Sequence, residues 1–256
     1  MRFKKNEKGE LTTQQIAILI ITITSFVIIL FLLFRLNLGE TSDKQVCHNS
    51  VVLKSKGSLG EKLDCKTNYV CISGGGKCEA DSSINIKIDL NKQTAREDIM
   101  KAIADEMADC WWMFGEGKLN YIGEDFGGKT SCAICSVINF DDKIIDLISE
   151  KSFMITYREF YEYLNSVKKD DAQTYFTYLY KSYDVNKFQE DISYLKIDLD
   201  KELILSDESY NVITGVKKGA LFGYFEPEVF LYSYYIKSSE MSNLEPSCTN
   251  YITEAA

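Results

Sequence analysis

Proline occurs only twice in 256 residues, at Pro227 and Pro246, and no tract rich in serine, glycine and proline interrupts the chain. This excludes a long disordered stalk. Histidine is rarer still, with His48 alone. A lone imidazole beside Cys47 can serve as ligand or base, but a catalytic base needs a nucleophile and an orienting group. No G-x-S-x-G nucleophile motif is present, so a structural histidine is expected. The absence of any Asn-x-Ser/Thr sequon removes N-glycosylation and fits a prokaryotic source. No calcium-loop spacing and no internal repeat occur.

Long apolar runs are also scarce, with one exception. Ile16 to Phe34 is nineteen residues without a charge. At the helical rise it spans ~28 Å, the hydrocarbon thickness of a bilayer. Its polar atoms are the hydroxyls of Thr22, Thr24 and Ser25, which can bond back to their own helix. Arg2, Lys4, Lys5 and Lys8 precede the run and only Arg35 follows closely. Positive residues resist translocation, so a cytoplasmic tail over 1–15, a transmembrane helix over 16–35 and an extracytoplasmic remainder are expected. A cleaved signal peptide is the competing reading. Its apolar region is shorter, ~7–15 residues, and Phe34–Gly39 offers no A-x-A site.

Lys8-Gly9-Glu10-Leu11-Thr12-Thr13-Gln14-Gln15 ahead of this helix resembles the class III signal peptide of archaeal type IV pilin-like proteins. The resemblance covers about 27 residues and implies cleavage between Gly9 and Glu10, with the apolar helix forming a filament core. The chain departs from that pattern in placing six residues, Glu10 to Gln15, before continuous hydrophobicity.

Five of the 29 basic and two of the 38 acidic residues lie within residues 1–35, leaving 24 against 36 beyond it, a net charge of −12. Such a domain is a poor partner for nucleic acid or anionic headgroups. The expected partners are the lipid bilayer through the anchor, further copies of the chain, or other surface proteins. No cofactor is implied.

Residues 36–46 read as a polar tether and 47–256 as an extracytoplasmic α+β domain, with a cysteine-rich subregion over 47–80 and a sub-boundary near residue 185. Within it, Ser50–Lys54 and Tyr69–Ser73 read as strands. Gly74-Gly75-Gly76 suggests a phosphate loop, but no Lys-Ser/Thr and no helix follow, so a flexible hairpin connection is expected. Ile84–Leu90 alternates apolar and polar as a half-buried strand does. Thr94 with Glu97 suggests a capping box for a helix to Phe114. Ile99, Ile103, Met107, Cys110 and Phe114 form its buried stripe, and Gly115 is its stop. Ala133–Phe140 reads as a strand. Thr156 with Glu159 caps a helix to Asn165, and a second short helix runs over Asp171–Tyr180. Strands follow at Ile192–Leu199, Leu203–Leu205, Tyr210–Val216 and Val229–Ile236. No regular βαβ order appears, which indicates α+β.

All eight cysteines lie beyond the apolar run, as a disulfide-permissive compartment requires. Cys47, Cys65, Cys71 and Cys78 are expected to bridge among themselves in one of three pairings, each closed loop contributing ~3 kcal/mol. Their spacings do not match paired zinc knuckles. Cys132-Ala-Ile-Cys135 permits dithiol exchange or metal binding, but the strand predicted after it offers no helix dipole to stabilise a thiolate. A structural bridge is expected, either local or to Cys110 and Cys248. The alternative is a membrane-tethered thiol-disulfide oxidoreductase using Cys132 and Cys135. Of Trp111 and Trp112, side chains ~100° apart around a helix, one belongs to the buried stripe and the other is free to stack or contact a partner. Glu106, Asp109 and Glu116 are carboxylates whose clustering is unremarkable in so acidic a chain. Asp141-Asp142 and Asp170-Asp171 read as solvated loop charges.

Overall fold

The computed structural model describes residues 13–35, 40–57, 63–78, 82, 84–91, 93–121, 130–150, 153–181, 199–200, 202–204, 209–218, 225–233 and 250–252. The elements in chain order are α1 (Thr13–Arg35), α2 (Glu40–Ser55), β1 (Asn68–Ser73), β2 (Ile84–Lys87), α3 (Ala95–Met113), β3 (Thr130–Phe140), α4 (Asp142–Ser149), α5 (Tyr157–Ser166), α6 (Tyr175–Tyr180), β4 (Tyr210–Lys218), β5 (Phe225–Ser233) and β6 (Asn250–Tyr251). The chain divides into two units, Met1–Asp43 and Lys44–Ala256.

In the first unit, Thr22, Thr24 and Ser25 of α1 donate to carbonyls three or four residues back. This removes their polar cost within the helix itself. The side chains of α1 are described over 14–29, where Ile16 to Ile29 are exposed. Among the described residues no helix is long and apolar enough to cross a membrane. Gly9 and Glu10 lie outside the described residues.

The second unit is a mixed α+β domain. Its sheet has the order β2-β1-β3-β4-β5, with β6 beside the start of β3. β2, β1 and β3 run parallel, while β4 and β5 are antiparallel to their neighbours. α3 is the central helix. Ile99, Ile103, Met107, Cys110 and Phe114 are all buried, and so are Met100, Ala104, Ala108, Trp111 and Met113, so its buried surface is broader than a single stripe. Gly115 ends it with φ of +78°, a conformation that favours glycine.

Several expectations are corrected. Residues 40–55 form helix α2, replacing the second half of the tether and the Ser50–Lys54 strand. Cys47 and Val51, four residues apart, are buried together on one helical face, and this packing overrides the strand preference of Val51-Val52. Thr94 is no capping box, because its backbone (φ −87°, ψ 1°) is not extended and its hydroxyl donates to Asp98 instead. Thr156 and Glu159 do form one. Gly74–Gly76 is not a hairpin, since β1 and β2 are parallel. α6 begins only at Tyr175, behind its N-cap Thr174, because Asp170 first folds residues 170–173 into a turn by accepting from Ala172 N and Gln173 N. Leu203 N bonds to Ile155 O beside one isolated bridge, Thr156 to Glu202, rather than in a strand. Residues 192–198, 205 and 234–236, and the sub-boundary near 185, lie outside the described residues.

Candidate functional site

The cysteines come first. Cys47 is bonded to Cys65 and Cys71 to Cys78. The third bridge joins Cys110 on α3 to Cys135 on β3. Cys132 and Cys135 are therefore not partners of each other, and the local dithiol on which exchange chemistry depends is not formed. Cys132 and Cys135 are both fully buried, and Cys132 is itself disulfide-bonded. A bulge explains the geometry. The register of β3 against β4 slips between Ile134 and Ser136, leaving Cys135 as the extra residue. Alternating strand side chains would point to opposite faces, yet Cys135 and Ser136 both reach α3, at Cys110 and Glu106.

Six of the eight cysteines are thus accounted for in three bridges, which leaves Cys248, outside the described residues, as the remaining cysteine for Cys132. Non-reducing peptide mapping is expected to recover a Cys132–Cys248 cross-linked peptide. Recovery of Cys248 as a free thiol would refute that pairing.

The residues around α3 form an ionic cluster. Glu106, buried, accepts from Lys44 Nζ at 3.1 Å and from Ser136 Oγ at 2.7 Å. Lys44 also donates to Asp109 at 2.6 Å. Burial opposes the Lys44 charge, but Glu106 and Asp109 outweigh it and hold the ammonium above the ordinary lysine value. The serine hydroxyl beside a carboxylate resembles a nucleophile beside a base. Ser136 is 1 % exposed, however, and no substrate can reach it. The cluster fastens α2, α3 and β3 together.

His48 and Trp112 answer each other. Their rings stack at 4.2 Å with planes 10° apart, and His48 Nδ1 lies 2.8 Å from Trp112 O. Trp111 is the buried indole of the pair, while Trp112 is half-buried and carries this stack. On the side of α3 facing α5 and α6, Tyr175 donates to Asp105, and Tyr178 to Glu116 at 3.0 Å. Lys169 sits 4.2 Å over the Tyr178 ring. Burial, then the neighbouring carboxylates Asp105, Glu97 and Asp98, push the Tyr163 hydroxyl up to about 12. Tyr175 and Tyr178 are donors to carboxylates, not bases. Among the described residues no group of three His, Cys, Asp or Glu side chains is placed to hold a metal ion.

The most constructed polar site was invisible as such in the sequence. Asp141, only 1 % exposed, accepts from Gly74 N at 3.0 Å, Gly76 N at 2.6 Å and Ile144 N at 3.0 Å. It is the N-cap of α4, not a solvated loop charge. The signal was present: an Asp directly before a helix whose Ile144 and Ile148 recur at four residues. The glycine loop does cradle an anion, and the anion is the protein's own carboxylate. Gly74 and Gly76 have no room for a side chain: a Cβ at Gly76 would meet Asp141 Oδ2 at 2.6 Å, and one at Gly74 would overlap Leu90. Gly75 has φ of +102° and needs glycine for that reason.

The described residues thus combine three bridges, one buried ion cluster and one carboxylate-filled loop, and Cys132, Cys135 and Ser136 are all buried. Compared with known proteins, the chain matches no family model, no curated protein and no solved structure.

Proposed function

We propose that this protein is a single-pass, membrane-anchored extracytoplasmic protein with a structural or interaction role, displayed on a disulfide-stabilised α+β domain. The observation that carries this reading is the state of the cysteines. All seven described cysteines are in disulfides, a pattern maintained in oxidising compartments and rare in the cytosol. The apolar run 16–34 and the basic residues before it supply the anchor and its orientation. The side chains Ile16 to Ile29 of α1, exposed in the isolated chain, need a lipid or helical neighbour to remove them from water.

Labelling intact cells with a membrane-impermeant amine reagent tests the topology. Exposed lysines of the domain such as Lys56 and Lys87 are expected to react, and Lys4, Lys5 and Lys8 to react only after lysis. The reverse pattern would reject an outward-facing domain. The finer reading, a pilin-like filament subunit, rests on the Gly9-Glu10 resemblance. It requires a mature N-terminus at Glu10, and mass spectrometry that finds Met1 or Arg2 there leaves a plain anchor.

A further inference from the structure

We propose that Lys87 and Lys143, converging over Gly75, form a binding site for a phosphate-type oxyanion at the surface of the domain. β1, β2 and β3 are parallel, so their carboxyl ends lie on one side of the sheet. Crevices outside such ends are where open α/β sheets take ligands. Each of the three strands delivers one component there. β1 runs into Gly74-Gly75-Gly76, β2 ends on Lys87, and β3 runs into Asp141 and the first turn of α4, which carries Lys143.

The convergence is measurable. A methyl group placed on Gly75 would lie 3.7 Å from Lys87 Cε and 3.8 Å from Lys143 Nζ. The terminal methylene of Lys87 and the ammonium of Lys143 therefore border the same space, which the glycine leaves empty. Among the described residues neither lysine is in an ion pair, unlike Lys44, Lys101, Lys118 and Lys169. Two neighbouring lysines repel, the Asp141 carboxylate beside them is turned onto the Gly74 and Gly76 amides rather than paired with either, and an anion held by both reverses the sign. The helix N-terminus is not the recruiting group, because Asp141 already caps it. Asp141 instead keeps the loop in shape and its own charge turned inward.

Two charges favour a dianion over a carboxylate. The net negative charge of the domain opposes approach from a distance, but at physiological ionic strength screening acts over ~8 Å, so the local pair decides at contact. A phosphate monoester or free phosphate fits this chemistry. The inference stands on the domain alone and is independent of the anchor.

The test is a titration of ¹⁵N-labelled full-length protein in neutral detergent with inorganic phosphate at constant ionic strength. Saturable shifts of the Gly75 and Lys143 amides are expected. Lys87→Gln with Lys143→Gln should weaken the apparent affinity at least tenfold, with stability unchanged because both side chains are exposed. Lys101→Gln, removing a lysine already paired with Asp105, should leave the titration unaltered. Glycerol phosphate in a parallel arm separates an esterified ligand, which then binds more tightly, from the free ion. A linear response, an identical response in the double variant, or equal binding of acetate would overturn the proposal.

Discussion

Lys44→Ala is expected to destabilise the domain by about 3 kcal/mol, the low end for breaking a buried ion pair. The reason lies in what the substitution leaves behind. The Glu106 side chain is 6 % exposed and the Lys44 side chain 19 %. Without the ammonium, Glu106 keeps the Ser136 hydroxyl but loses its only counter-charge among the described residues in a place where water cannot replace it. Asp109 is 49 % exposed, so the second arm of the cluster is screened, and Asp109→Asn should cost under ~0.5 kcal/mol.

Chemical denaturation followed by tryptophan fluorescence measures this, and Glu106→Gln in the Lys44→Ala background isolates the cause. The amide carries no charge and can still accept from Ser136, so the double variant should regain more than ~1 kcal/mol. Additive losses in the cycle would show that the pair behaves as an ordinary surface contact. The pH dependence has a definite sign. Lys44 has a raised folded-state pKa, so its stabilisation is complete below the unfolded lysine value of ~10.4 and is lost as pH rises through the folded value. The Lys44→Ala variant should lack that part of the alkaline destabilisation.

How far these features were legible depends on how local their causes are. α3, β3 and α5 were readable because periodicity, a strand-length apolar run and a capping box act within a few residues. α2 was not. Val51-Val52-Leu53 has strand propensity, and what makes it helical is the burial of Cys47 and Val51 in the domain core, beside a Lys44 contact to Asp109, 65 residues away. The parallel pairing of β1 with β2 was hidden for a similar reason, since a glycine loop reads as a hairpin unless its distant anchor is known. Cysteine counting restricted the first four cysteines to three pairings, but only the β3 bulge explains why Cys135 joins Cys110 and not Cys132. Ser136 and Lys44 carried no sequence signal at all, because their roles exist only through Glu106.

Asp141 is the sharpest of these cases, and Asp141→Ala should show it. A carboxylate adjacent to another Asp reads as solvated, yet here it satisfies three backbone donors from two parts of the chain, Gly74 and Gly76 after β1 and Ile144 in α4. Alanine removes a helix cap, about 1 kcal/mol, and orphans the two glycine amides at about 1 kcal/mol each, since both are half-buried and water can partly reach them. A loss of about 3 kcal/mol is expected. Amide hydrogen exchange gives the pattern a general destabilisation would not. Asp141→Ala should expose Gly74, Gly76 and the first turn of α4 together. Asp141→Asn keeps the oxygen that serves Gly74 and Ile144, but can turn an NH₂ group toward the Gly76 amide, 2.6 Å from the other oxygen. Two donors then face each other, so Gly76 alone should lose protection while α4 stays capped. Equal protection of Gly76 in the parent and both variants would mean that the loop holds its shape without the carboxylate, and Asp141 would be reduced to a helix cap.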